Sequence, residues 1–182
     1  MGQSLDISDL VERDGIFFKK FTDVPFTGET TGGSFTNGKK DEPYAVYHDN
    51  GQLHYKGSWK DLEKAGPWVY YHDNGQLLSK GSYKDGEEDG PWVYYHDNGQ
   101  LLSKGNYKDG EKDGPWVGYH GNGQLYAKGS WKNGKQDGPG IRYHGNGQLR
   151  EKGSYKDGKR DGPWVYYTQS GRQVSTFKET ED

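Results

Sequence analysis

The chain has 182 residues, only 29% of them apolar, and a formal net charge of −3. That is too little aliphatic matter for an ordinary two-layer core and too mixed a charge for a phosphate-binding surface, so nucleic acid is excluded as a partner. No apolar run approaches the ~20 residues of a membrane helix, and with no cysteine disulfides and thiolate metal sites are excluded while the redox compartment stays open.

In chain order, Met1-Gly2-Gln3-Ser4 carries no targeting segment. It reads as a natural terminus or as a mature secreted end with an added initiator Met, so cytoplasmic and secreted locations are both open. Residues 7–12 allow one short helical turn. The aromatic-rich stretch from Leu10 to Phe26 is expected to pack on the open N-terminal edge of the repeats. Residues 33–43 match the second half of a repeat, so 1–43 form an N-terminal cap with a degenerate half repeat. Asn-Gly then recurs at Asn50, Asn74, Asn98, Asn122 and Asn146, always 24 residues apart. Five repeats run 44–67, 68–91, 92–115, 116–139 and 140–163, and the third differs from the second only at Asn106 and Lys112. Residues 164–182 begin another and lose the pattern, which makes them a C-terminal cap.

Each repeat carries two turn signals and abundant rings, so it predicts a β-hairpin. Rings bury much area on a single layer, which suits a thin sheet. Asn-Gly is expected to form a type I′ turn, and Pro67, Pro91, Pro115, Pro139 and Pro163 are expected at strand starts. A two-residue loop at Asn98-Gly99 pairs Asp97 with Gln100, His96 with Leu101, Tyr95 with Leu102, Tyr94 with Ser103 and Trp92 with Gly105. One face then holds Trp92, Tyr94, His96, Leu101, Ser103, Gly105 and Tyr107; the other holds Val93, Tyr95, Asp97, Gln100, Leu102 and Lys104. The fifth repeat supports this register, because it sets Arg142 across from Glu151. At the other end a four-residue loop, Asp109–Lys112, is preferred over a two-residue loop, which would shear the sheet. The fold class is all-β: an elongated single-layer antiparallel β-meander or solenoid of 24-residue hairpins, with about 9.6 Å per hairpin and a length of roughly 60 Å.

The segment Gly81-x-Tyr83-x-x-Gly86-x-x-x-Gly90-x-Trp92 resembles the core of the MORN repeat. It recurs from Gly57, Gly105, Gly129 and Gly153, with Leu62 replacing a loop glycine in the first repeat. The added Asn-Gly-Gln-Leu and the Trp after Gly-Pro are similar to the bacterial MORN variant, which occurs in proteins described as antitoxins. The resemblance implies a hairpin-repeat fold and a binding role. Its report of lipid binding suits this chain poorly, because the loops EEDG, EKDG, KQDG and KRDG are not uniformly basic.

Candidate sites are weighed against plain structural roles. The histidines His48, His72, His96, His120 and His144 lie about 10 Å apart between hairpins, too far to share a metal, and read as turn supports. The acidic loops read as solvated turns rather than calcium sites. Catalysis has no nucleophile setting and no singular carboxylate pair. Comparison among repeats singles out the variable central slots, with partner contact expected at Tyr55, Tyr70, Leu78, Tyr94, Leu102, Tyr126, Arg142 and Arg150. The sequence therefore reads as a non-enzymatic scaffold for a protein partner, an antitoxin or immunity role included, with no cofactor and no metal. A secreted or envelope-associated structural or glycan-binding protein and a membrane-surface lipid binder are the alternatives. Open sheet edges allow end-to-end homodimers.

Overall fold

Alternating rings and turn residues leave almost nothing that can be helical. The computed structural model describes residues 5–30, 33–40, 44–60 and 63–178. A 3-10 turn at Ile7–Asp9, capped by the Asp6 carboxylate, precedes hairpin β1 (Leu10–Arg13) and β2 (Ile16–Lys19). A three-stranded sheet comes next: β3 (Gly28–Thr30), β4 (Gly33–Thr36) and β5 (Lys39–Lys40). Phe35 on β4 is buried under Phe17 and Phe26. β4 itself lies against β6 (Tyr44–Tyr47), so the lead-in reaches the first strand of the repeats. Leu62 lies outside the described residues.

The repeats supply β7 (Leu53–Lys60), β8 (Glu63–Tyr71), β9 (Leu77–Lys84), β10 (Glu87–Tyr95), β11 (Leu101–Lys108) and β12 (Glu111–Tyr119). Then come β13 (Leu125–Lys132), β14 (Lys135–Tyr143), β15 (Leu149–Lys156), β16 (Lys159–Tyr167) and β17 (Gln173–Lys178). The chain forms two units, Met1–Glu87 and Glu88–Asp182. β6 to β9 form an antiparallel meander in the first, and β10 to β17 form one in the second.

The central ladder has the expected register. Trp92 pairs with Gly105, Val93 with Lys104 and Tyr94 with Ser103. Arg142 faces Glu151, with Nη1 donating to Oε1 at 2.6 Å. The turns differ from expectation. At Asn-Gly the Gly99 N–H donates to the His96 carbonyl at 2.9 Å, and only Gly99 has positive φ. That is a type I turn closed by a glycine bulge, not type I′. Asn98 instead accepts the Gln100 N–H on its side-chain oxygen at 3.0 Å, an Asx bond that competes with the left-handed backbone. Tyr95 therefore pairs with Leu101, and Leu102 becomes the extra residue of a bulge.

Type I′ turns occur at the other end. Asp85-Gly86, Asp109-Gly110, Asn133-Gly134 and Asp157-Gly158 all have positive φ at both positions. This corrects the four-residue loop: Lys108 pairs directly with Glu111. The expected shear does not occur, because two extra residues are absorbed at Gly114-Pro115-Trp116, and Lys104 again meets Val117. Gly114 carries the bulge at φ +82, with nothing near its absent Cβ. Backbone conformation, not space, requires glycine there. Pro115 and its equivalents consequently sit inside strands rather than at their starts; the bulge removes the ladder bond their missing N–H would have supplied.

The bulge lays Trp68, Trp116 and Trp164 each on a glycine of the preceding strand. A Cβ on Gly57, Gly105 or Gly153 would fall 2.2 to 2.4 Å from the indole of Trp68, Trp116 or Trp164. Gly129 is different, because Gly140 stands where its tryptophan would be; a Cβ there meets nothing closer than 3.8 Å. Gly105→Val should thus destabilise its unit by about 3 kcal/mol or more through overpacking, whereas Gly129→Ala should cost less than about 1 kcal/mol. Urea melts followed by near-ultraviolet circular dichroism measure both, and equal losses would contradict the tryptophan contact.

Candidate functional site

The tryptophans recur with the repeat, so their rings form a row along one face of each unit. In the first unit Trp68 is fully buried and stacks on Tyr70 at 5.9 Å, with Trp59 and Tyr83 edge-on. Its indole N–H donates to the Ser58 carbonyl at 3.1 Å. In the second unit Trp92 stacks on Tyr94 at 5.9 Å, and Tyr107 meets Trp116 edge-on at 5.2 Å. Each such ring pair adds about 0.5–1.5 kcal/mol beyond its buried area.

A third slot caps the row. Lys64 lies 4.7 Å above Trp68, and its ammonium donates to the Tyr70 hydroxyl at 2.9 Å. Arg160 lies 4.3 Å above Trp164 and donates to the Tyr166 hydroxyl. Lys112 lies 4.1 Å above Trp116 and 4.9 Å from Trp131. Burial pushes the Lys112 pKa below its usual value, and the charge of Glu88 partly opposes that.

In the second unit the row is interrupted. Gly118 stands in the slot of Tyr70, Tyr94 and Tyr166, and Gly140 in the tryptophan slot. Together with Ala127 and Gly129 they floor a cleft of about 370 Å³. Trp116, Trp131, Tyr155 and Trp164 wall it, and Lys112, Gln136 and Arg142 bring polar groups to it. No Asp or Glu lines it. Arg142 shares the buried Glu151 carboxylate with Arg160, the second ion pair spanning 3.2 Å. Two guanidiniums on one carboxylate leave one positive charge over, and Lys112 adds a second cation to the lining of the cleft.

The residues singled out from sequence divide into three groups. Leu102, Tyr126 and Arg142 line the cleft. Tyr55, Tyr70 and Tyr94 are half-buried in the ring rows, with Tyr55 5.8 Å from Trp68 and the Tyr94 hydroxyl donating to that of Tyr107. Leu78 is half-buried and Arg150 exposed, and neither meets the cleft. The bulge explains Leu102 and Tyr126. Placed on the opposite face by the simple alternation, this slot turns toward the histidine of its own turn, as His120 and Tyr126 at 5.0 Å show. Sequence reading missed Lys112, Gln136, Trp131 and Tyr155. The available signal was the six-residue spacing of Lys64 to Tyr70 and Arg160 to Tyr166, which from Lys112 lands on Gly118.

The histidines join successive hairpins. The Nε2 atoms of His96, His120 and His144 lie 2.9 to 3.2 Å from the carbonyls of Tyr119, Tyr143 and Tyr167. A carbonyl only accepts, so Nε2 carries the proton. Asn98, Asn122 and Asn146 make parallel bonds to the carbonyls of Gly121, Gly145 and Gln169. Among the described residues no group of three or more His, Asp or Glu is placed to hold a metal ion, and no helix is long and apolar enough to cross a membrane.

The family model described as MORN repeat variant matches residues 44–61, 64–85, 88–109, 112–133 and 136–157. No curated protein matches the chain.

His54 occupies the slot of Leu78 and Tyr126 and stacks on His48 at 4.2 Å. Burial, then the charge of His48, hold its pKa below the ordinary 6.5. The unfolded chain takes up this proton more readily, so the stability from neutral His54 is present above that value and lost as pH falls below it. Thermal melts at pH 7.5 and 5.5 should show a larger acid loss in wild type than in His54→Leu. An equal loss would remove His54 as a source of pH dependence.

Proposed function

The chain belongs to the MORN repeat variant family, and from that premise we propose that it is a non-enzymatic repeat scaffold holding a protein partner on the aromatic face of its sheet. The cleft of the second unit carries this reading: about 370 Å³ where glycines, Gly118 and Gly140, stand in ring slots of the row. Its size lies at the low end of ligand pockets, about 300–1,000 Å³. Aromatic walls with a few convergent polar groups are what partner anchors use. Leu102 and Tyr126 stand on its rim, each more than a third exposed.

A catalytic role has little support. His96, His120 and His144 are committed to backbone carbonyls. The buried carboxylate, Glu151, is committed to Arg142 and Arg160. The finer form of the proposal is that the partner is a toxin and this chain its antitoxin or immunity protein. That form rests on the similarity of the repeats to those of bacterial antitoxins.

Ala127→Trp fills the floor of the cleft opposite Gly118, its cross-strand neighbour. A pull-down from lysate and culture medium of the source organism, with wild type and this variant, tests the proposal. One protein should be retained by wild type and lost by the variant, with the variant's melting curve unchanged. The purified pair should then bind at least about tenfold, or 1.4 kcal/mol, more weakly through the variant. A protein held equally by both would move the interface off the cleft. An empty pull-down would overturn the protein reading in favour of a glycan.

A further inference from the structure

The repeats describe their own missing part. Lys64 and Arg160 each donate to a phenol six residues on, Tyr70 and Tyr166, and each phenol ring lies beside the tryptophan that the cation covers. Across the ladder from each phenol stands a small residue, Ser79 and Ser175. Lys112 repeats the arrangement over Trp116, with Ala127 across the ladder. At its phenol position, however, the chain has Gly118.

The space above Gly118 is open in the direction a side chain would take. A Cβ there makes only ordinary contacts, 3.6 Å to the Tyr126 ring and 3.8 Å to the Leu102 carbonyl. The second missing ring leaves no comparable space. A Cβ at Gly140 would lie 2.7 Å from the Tyr155 ring and 3.4 Å from Trp164, so Tyr155 already occupies part of that slot. The open slot is therefore the one over Gly118, with the Lys112 ammonium 4.1 Å above the neighbouring Trp116 ring. Two of the ring walls, Tyr155 and Trp164, meet at a steep angle of 71°. Walls that present both faces and edges suit another aromatic ring better than the flat face of a sugar.

The geometry points to a tyrosine side chain of a partner polypeptide as the occupant, its ring over Gly118 against Trp116 and its hydroxyl accepting from Lys112. The residues flanking that tyrosine are acidic, because Lys112 and Arg142 reach the cleft and no carboxylate lines it. This deepens, and rests on, the protein-scaffold reading.

The test uses full-length protein with its tryptophan indoles labelled with nitrogen-15, titrated with the peptide acetyl-Glu-Tyr-Glu-amide. Saturable shifts are expected at the indoles of Trp116 and Trp131, with a Kd of about 1 mM for one side chain. Replacing Tyr by Phe, or both Glu by Lys, should weaken binding by about threefold or more. Gly118→Tyr restores the ring found in sister repeats, so it should fold and abolish the shifts. Lys112→Met, which keeps the length but has no donor, should erase the preference for Tyr over Phe. A Gly118→Tyr protein that titrates like wild type, or a Phe peptide that binds equally, overturns the proposal. So does an acidic disaccharide that shifts these indoles while the peptides do not. If the peptides fail but the pull-down still yields a protein lost by Ala127→Trp, the tyrosine pocket falls and the scaffold stands. If the peptide binds and the pull-down is empty, no partner polypeptide supplies the tyrosine, and the scaffold reading falls and takes the proposal with it.

Discussion

An indole laid flat on a glycine is the contact on which the other features depend. A single-layer sheet has no second layer to cover its face, so apolar area must be buried along the face itself. Trp68 on Gly57, Trp116 on Gly105 and Trp164 on Gly153 do this, and the rings are almost fully buried. The contact fixes the register, because any side chain on the glycine would collide with the ring. It also explains the bulge at Gly-Pro-Trp, which takes up two residues so that a tight Asp-Gly turn and the ring contact can coexist.

Once the indoles are in place, everything near them inherits their period. Tyrosines stack beside them, and cations settle over their faces, where the ring quadrupole attracts positive charge. Lys112 is held there partly dehydrated. Because each repeat contacts only its neighbours, a lost ring can be covered only from an adjacent repeat, as Tyr155 partly does at Gly140. Gly118 and Gly140 therefore leave a local cleft rather than a general loosening, and the chemistry of its walls is that of the row it interrupts.

The turn ends of the hairpins have a separate role. Histidine and asparagine side chains reach the backbone carbonyls of the next hairpin and satisfy acceptors the ladder leaves over. Their regular recurrence is what such hydrogen bonding requires. The variable slots, Arg142 with Glu151 and Gly118 with Ala127, are where one repeat differs from another, and Arg142, Gly118 and Ala127 line the cleft.

The sequence by itself determined the hairpins, the central ladder and the face the rings share. Period-two alternation and recurring turn dipeptides act over a few residues and need no tertiary information. It even placed Arg142 across from Glu151. It did not determine which dipeptide makes the left-handed turn, because Asn98 prefers its own Asx bond while Asp109 has none to compete. Nor did it show that residues 168–171, where the motif is lost, keep the same turn, with Gly171 donating to the Thr168 carbonyl at 2.9 Å. The cleft was decided by tertiary structure alone. Gly118, Gly140 and Lys112 are ordinary residues in the sequence, and their meaning comes from the bulge that brings adjacent strands into register and exposes the space over Gly118.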